Sequence, residues 1–369
     1  MYAKYFMNTP KNGSNRRTFI KTVAATSAGL ALAKTTLAEP NEKPRGKTRL
    51  GFDNFSVRAL KWNASQLIDY AASLKLDSLF LTDLDVYQSF EDNYLRDLKK
   101  KASDLGLVIY AGSWSICPTS KFFKKKWGTA EEHLALGIRV AHTLGSPVFR
   151  CILGMGDDRN TPGGIEARMA DTVRVCKTAR SQALDAGVKI AIENHAGDMQ
   201  AWEIAGLCEE AGKDYVGVTF DTGNATWTME DPNRSLEILA PYVAASALRD
   251  SMVWASPNGA TVQWTTMGEG VVDYKKFVPR FIELCPAVPV NVEIISGFPR
   301  DLPYFKRDFW KVWPKAPAED FAPFDELTRL GKMIPPHHSP NEIAEQEYQK
   351  NGLERSLAYC KKTLGLGLQ

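Results

Sequence analysis

The sequence predicts an α/β fold closed into a (β/α)8 barrel. Three observations carry the prediction. Eight short apolar runs alternate with stretches of helical periodicity, the order expected of parallel strands joined by crossover helices. Several runs end abruptly in carboxylate, amide, imidazole or guanidinium side chains. A buried parallel strand stays apolar until its end, where barrels place their chemistry. No G-x-G-x-x-G follows the first strand, so an open dinucleotide-binding sheet has no support.

In chain order, residues 49–53 read as the first strand, ending in Asp53. A helix pattern over 63–74 follows, with Asn63 or Ser65 as its N-cap. Residues 77–82 form the second strand and 93–105 the second helix, stopped by Gly106. The third strand is 107–111, with Trp114 just beyond it. Thr129 caps a helix over 129–144, ahead of Glu131 and Glu132. Residues 147–152 are the fourth strand, carrying Arg150, and 164–186 a long helix. The fifth strand starts at Val188 and ends in Glu193, Asn194 and His195. A helix over 200–212 leads to the sixth strand, 215–221, which closes on Asp221 ahead of Gly223 and Asn224. A short helix at 235–239 precedes the seventh strand, 242–248, which runs into Arg249 and Asp250. A helix over 273–284 leads to the eighth strand, which starts at Val288 and ends in Glu293. The count of eight favours a closed TIM barrel over an open sheet.

The chain divides into three parts on this reading: residues 1–47, a barrel over 48–297, and a C-terminal helical and irregular extension over 298–369. The extension is rich in aromatics and proline over 298–324 and ends in a helix pattern at 341–364, and it is expected to pack on the barrel. The N-terminal part carries Arg16-Arg17 followed by Phe19, Lys21 and a weakly apolar run from Thr22 to Ala33. This resembles a twin-arginine export signal and implies a periplasmic or exported protein. The run is too short for a permanent membrane span. A formal charge of +3 gives no footprint for nucleic acid. Six cysteines without a C-x-x-C read as buried thiols.

In a barrel the strand ends converge on one mouth. Glu193, Asp221 and Glu293 would crowd there, with Asp53, Arg150, His195 and Arg249. Three carboxylates at close range need a compensating cation or shifted pKa values. Oxygen ligands of this kind suit Mn²⁺ or Mg²⁺, and an added imidazole admits Co²⁺ or Zn²⁺. Arg249 and Arg150 suit oxyanionic groups, and Trp114 and Trp264 could form a stacking floor for a sugar ring. The Gly268-Glu269-Gly270 turn could offer backbone N–H groups to a phosphate.

Over residues 49–297 the chain resembles the xylose-isomerase-like barrels of sugar isomerases and epimerases. The resemblance rests on Ile192-Glu193-Asn194-His195, Phe220-Asp221-Thr222-Gly223-Asn224, the stretch from Gly268 to Asp273, and Val292-Glu293. It implies one divalent metal, Mn²⁺ first, held by Glu193, Asp221, Glu293 and a histidine. It also implies that Glu193 and Glu293 shuttle a proton beside a carbonyl through an enediolate. The implied substrate is a small carbohydrate, bound by His195, Arg249, Arg150, Trp114 and Asp53. The chain departs from the family's His-x-Lys-Asp at the seventh strand, where it reads Ala247-Leu248-Arg249-Asp250. Alanine cannot ligate, so either Gln263 or a water fills the fourth metal position, or the metal is bound weakly or not at all. Three functions remain open on this reading: an isomerase or epimerase, a lyase or dehydratase acting on a keto-sugar or 3-keto-glycoside, and a catalytically degenerate carbohydrate-binding barrel. A homo-oligomer also stays open.

Overall fold

The structure, a computed structural model, describes residues 48–368, so the twin-arginine segment lies outside the described residues. Strands β1 (Leu50–Asp53), β2 (Ser78–Leu81), β3 (Val108–Ser115), β4 (Val148–Ile152), β5 (Lys189–Glu193), β6 (Val216–Asp221) and β7 (Val243–Ala247) come first. They are followed by β8 (Asp250–Ser256), β9 (Gly259–Thr265), β10 (Val290–Val292) and β11 (Pro299–Leu302). Helices α1 (Ala64–Ser73), α2 (Asp92–Asp104), α3 (Ala130–Leu144), α4 (Gly164–Thr178) and α5 (Arg180–Ala186) cover the first half. Helices α6 (Ala201–Ala211), α7 (Thr222–Trp227), α8 (Pro232–Leu239), α9 (Tyr274–Leu284), α10 (Ala318–Leu327) and α11 (Glu342–Lys362) cover the rest.

Eight strands form a parallel sheet in the order β10-β1-β2-β3-β4-β5-β6-β7. The ring all but closes between β7 and β10. Leu248 pairs with Val292, its N–H donates to the Asn291 carbonyl at 2.7 Å, and the Glu293 N–H donates to the Leu248 carbonyl at 3.0 Å. This is the expected TIM barrel. Inside the ring Phe80, Tyr110, Val148, Ala191 and Ala245 pack together, so it encloses a side-chain core rather than a pore. Each such buried aromatic or branched side chain contributes about 1.5–3 kcal/mol by leaving water.

The helices start where the sequence supplies caps. Asn63 and Gln66 exchange side-chain-to-backbone hydrogen bonds at the head of α1, as do Thr129 and Glu132 at α3. Helix α3 lies close on β4 because Gly137 faces the Phe149 ring, where a Cβ would come within 2.0 Å of the ring edge. The single helix expected over 164–186 breaks at Ala179, between α4 and α5. Just before the break the Thr178 hydroxyl donates to the Val175 carbonyl at 2.7 Å, the kind of side-chain bond that bends a helix.

Between β7 and β10 the chain adds an antiparallel sheet that the sequence reading did not contain. Strands β8 and β9 form a hairpin, and β11 pairs with β9. A second apolar cluster gathers Trp227, Trp264, Leu302, Tyr304, Trp313 and Phe324 on this annex and the C-terminal segment. Helix α11 is tied to the first βα turn of the barrel. Gln349 accepts from the Ala59 N–H at 2.9 Å, and Gln346 donates to the Ala59 carbonyl at 3.0 Å. All six cysteines are free and buried. Among the described residues no helix is long and apolar enough to cross a membrane.

Candidate active site

Glu193 ends β5, Asp221 ends β6, and Glu293 directly follows β10. Each offers an oxygen, and the three lie within 4.8 Å of one another. Two arginines from the same rim meet them. Arg150 on β4 donates its Nε to Glu193 Oε2 at 2.5 Å and its Nη1 to the Ser113 carbonyl at 2.8 Å. Asn224 Nδ2 takes the other Glu193 oxygen at 3.2 Å, so both are engaged. Arg249, just past β7, donates Nε to Asp221 Oδ1 at 3.2 Å and Nη2 to both Asp221 Oδ2 and Glu293 Oε2, the latter at 2.7 Å.

The local sequence holds these groups in place. Asn194 exchanges two hydrogen bonds with the Asp221 backbone, locking the β5 and β6 ends together. Asp221 caps α7 by accepting the Asn224 N–H at 3.0 Å. Gly223 leaves room for the Arg249 stem, since a Cβ there would lie 2.2 Å from Arg249 Cγ. The Arg249 guanidinium sits 4.2 Å from the Trp264 ring centre, and Trp264 stacks on Trp227 at 3.9 Å.

Burial raises the carboxyl pKa values and the guanidiniums oppose it unequally. For Glu193, burial pushes up, but Arg150 and then His195 pull down further, so it stays ionised. Burial lifts Asp221 to about 8, with Arg249 pulling down and Glu293 pushing up. Glu293 is raised by burial, against Arg249. Asp53, buried and close to Glu293, is raised well above the ordinary carboxyl range. The guanidiniums of Arg150, Arg249 and Arg58 do not offset burial at Asp221, Glu293 and Asp53, which are all raised, and Asp221 retains its proton near neutral pH. His195 is lowered to about 4, chiefly by burial. Its Nδ1 lies 2.7 Å from the Gly154 carbonyl, an acceptor only, so Nδ1 is assigned the proton and Nε2 is a free acceptor.

Above the cluster opens a cavity of about 340 Å³. Glu293, His195, Arg249, Arg150 and Trp114 all line it. Glu193 and Asp221 do not; they lie sealed beneath the two guanidiniums. Asp53 stands beside the cavity, not on its wall. Its Oδ1 accepts from the Phe55 N–H and the Thr82 hydroxyl, and its Oδ2 has no partner. Gln263 is turned away from the carboxylates. On β9 its neighbour Trp264 faces Arg249, and alternate strand residues point to opposite faces. Its amide donates instead to the Pro335 carbonyl at 3.2 Å. The glycine turn at 268–270 is also committed, because Asp250 accepts the N–H groups of Gly268, Gly270 and Val272 and leaves none for a phosphate. Wall residues that the sequence reading missed include Arg58, Met155, Trp227, Ile295 and Phe298.

The three carboxylate oxygens are spaced so that they could hold a metal ion. With Arg249 as placed, however, the residues do not fit a divalent cation. One guanidinium nitrogen already bridges Asp221 and Glu293, and Arg150 and Asn224 engage both oxygens of Glu193. Among the described residues no imidazole joins the set, and Ala247 pairs with Asp221 at the neighbouring strand end.

A family model described as a xylose isomerase-like TIM barrel matches residues 68–296. A 98-residue stretch is 24% identical to the uncharacterized protein YihM of Escherichia coli (strain K12), covering 27% of this chain and only 30% of that protein's length. D-psicose 3-epimerase, crystallised in the presence of D-fructose, superimposes with a TM-score of 0.58 at 15% identity over 86% of this chain and 99% of its own. The 3-keto-D-glucoside 4-epimerase YcjR from E. coli gives 0.52 at 10% identity over 77% and 100%. The IOLI protein, crystallised with a bound zinc atom, gives 0.52 at 14% identity over 78% and 100%. At these identities the structural likeness speaks to the fold. The family match covers more than half of the sequence, and the chain belongs to the xylose isomerase-like TIM barrel family.

Proposed function

We propose that the protein is a sugar isomerase or epimerase that moves a proton at a carbon beside a carbonyl, through an enediolate. The observation that carries this reading is the pairing, in one aromatic-lined cavity, of Glu293 with a raised carboxyl pKa and His195 with an unprotonated Nε2. The structural neighbours named as epimerases support it.

In this mechanism Glu293, once ionised, takes the proton from carbon. The C–H electrons form the C=C bond, and the carbonyl pair moves onto oxygen. A raised pKa makes Glu293 a stronger base than an ordinary carboxylate. Arg249, on the cavity wall, stabilises the developing oxyanion by its positive charge. His195 Nε2 accepts from the hydroxyl on the carbon that loses its proton. That hydroxyl proton passes to the oxyanion as the new carbonyl forms, Glu293 gives its proton to the former carbonyl carbon, and Trp114 and Trp264 pack against the sugar. The sequence-based shuttle paired Glu193 with Glu293, but Glu193 is sealed under Arg150. The proposal therefore gives both abstraction and return to Glu293. A single base returns the proton on the face it left, which favours transfer to the adjacent carbon, an isomerisation. No metal step enters this mechanism, so the Mn²⁺ expectation is not carried into it.

The test is incubation of the purified chain with keto- and aldosugars in D₂O, with Glu293→Gln alongside. A product of unchanged skeleton carrying solvent deuterium, lost in the variant, is expected. An eliminated fragment would move the reading to a lyase, and binding without exchange would leave a carbohydrate-binding barrel. Export by the twin-arginine route is part of the proposal and rests on residues 15–33 alone; the mass of the mature periplasmic chain checks it.

A further inference from the structure

We propose that Arg249 is the resident cation of the carboxylate cluster, standing permanently where three converging carboxylates would otherwise require a divalent ion. Glu193, Asp221 and Glu293 bring their oxygens within 4.8 Å of one another, and such a group is stable in the interior only where a cation stands among them or protons are retained. Arg249 meets that need from a position the chain has shaped for it. Its Nη2 bridges Asp221 and Glu293, and its Nε takes the second Asp221 oxygen. A planar fork suits two carboxylates at once, which an ammonium cannot reproduce.

The surroundings fit a guanidinium and no spherical ion. Gly223 leaves the stem its path, because any Cβ there would strike Arg249 Cγ at 2.2 Å. Trp264 offers its ring face 4.2 Å from the guanidinium carbon and is backed by Trp227. The Arg249 carbonyl accepts from the Tyr274 hydroxyl at 2.7 Å and from the Thr222 hydroxyl at 2.9 Å, so the backbone is fastened as well. A metal ion in the same place would find a non-ligating side chain, Ala247, beside Asp221 and would face two buried guanidiniums, Arg249 and Arg150. The inference concerns what occupies the cluster and holds whichever sugar reaction the cavity performs.

The experiment is Mn²⁺ binding followed by electron paramagnetic resonance, with elemental analysis and thermal unfolding, on the full mature chain and on Arg249→Met. The wild-type chain is expected to carry no stoichiometric metal. Its Tm should be unchanged by EDTA and by added Mn²⁺. The variant should bind Mn²⁺ at least about tenfold more tightly than wild type, and its Tm should rise with the ion. One Mn²⁺ per wild-type chain, removed by EDTA with a fall in Tm, overturns the proposal. A folded variant with no gain in Mn²⁺ affinity also overturns it. If the variant does not fold, the wild-type measurements decide alone. None of these readouts depends on turnover, so a failed search for a sugar substrate leaves them intact.

Discussion

The rim of the barrel and the annex beside it build the same cavity by different means. The rim supplies the charged groups from strand ends whose positions are fixed by the parallel ladder: Glu193 opposite Thr219, and Asp221 opposite Ala247. The annex supplies shape. Trp264 comes from β9, Trp227 ends α7, and Phe298 precedes β11, with its ring edge-on to both tryptophans at 5.6 and 6.0 Å. The charged rim side chains are buried, with Glu193 and Asp221 each held by several hydrogen bonds, whereas Phe298 is 42% exposed. The comparison teaches that chemistry and selectivity are separable here. Changes on the rim should alter turnover or folding, and changes on the annex should alter substrate affinity.

The largest effect is expected from Glu293→Gln. It removes the carboxyl that reaches the cavity and keeps its shape, so turnover should fall by roughly 10²–10⁴-fold with little change in Tm. Retention of full activity would remove Glu293 from the mechanism and break the assignment of chemistry to the rim. Arg249→Met comes next and acts on stability. It leaves Asp221 and Glu293 buried without their cation, at a cost of about 3–5 kcal/mol, read as a lower denaturation midpoint with an unchanged m-value. An unaffected midpoint would mean that the cluster relieves its charge by protonation alone. Phe298→Ala is milder. An aromatic contact is worth about 0.5–1.5 kcal/mol, so KM should rise by roughly two- to twelvefold with kcat held. A loss confined to kcat would show that the annex takes part in the chemistry.

The same division explains what could be read from the sequence. The barrel was legible because each strand is an apolar run that stops at a polar residue, and because helix caps such as Thr129 and Asn63 mark the intervening starts. Glu193, Asp221, Glu293 and Arg249 were legible as strand-end residues for the same reason, and Arg150 as a charge within the apolar fourth strand. Their contacts were not, since pairing depends on which neighbours in the ring face one another and on the space that Gly223 leaves. The annex was missed although a turn signal was present: Pro257-Asn258 joins β8 to β9, with Ser256 paired to Gly259 across the turn. Missing that hairpin also misplaced Gln263, whose orientation follows from the pleat of β9. Arg58 and Phe298 belong to irregular segments, and nothing in their local pattern points to a cavity wall.

The smallest effect concerns His195, on the rim, and it sharpens the comparison at the level of a single proton. Burial lowers its pKa to about 4 from an ordinary value of 6.5, and the ionised Glu193 does not make up the difference because Arg150 and Arg249 oppose it. The ring should therefore remain neutral, with the proton on Nδ1, throughout pH 5–8, which ¹⁵N NMR of the imidazole can follow. The sign for stability follows directly. A folded-state pKa below the unfolded one means that the contribution of neutral His195 is complete above pH 6.5 and is lost as the pH falls from 6.5 through about 4. The stability difference between the wild-type chain and His195→Gln should be flat above pH 6.5 and shift against wild type on acidification through that window. A ring that titrates near 6.5 would mean that water reaches the imidazole freely. Nε2 would then be a switchable donor rather than a fixed acceptor, and the substrate hydroxyl assigned to it would need another partner.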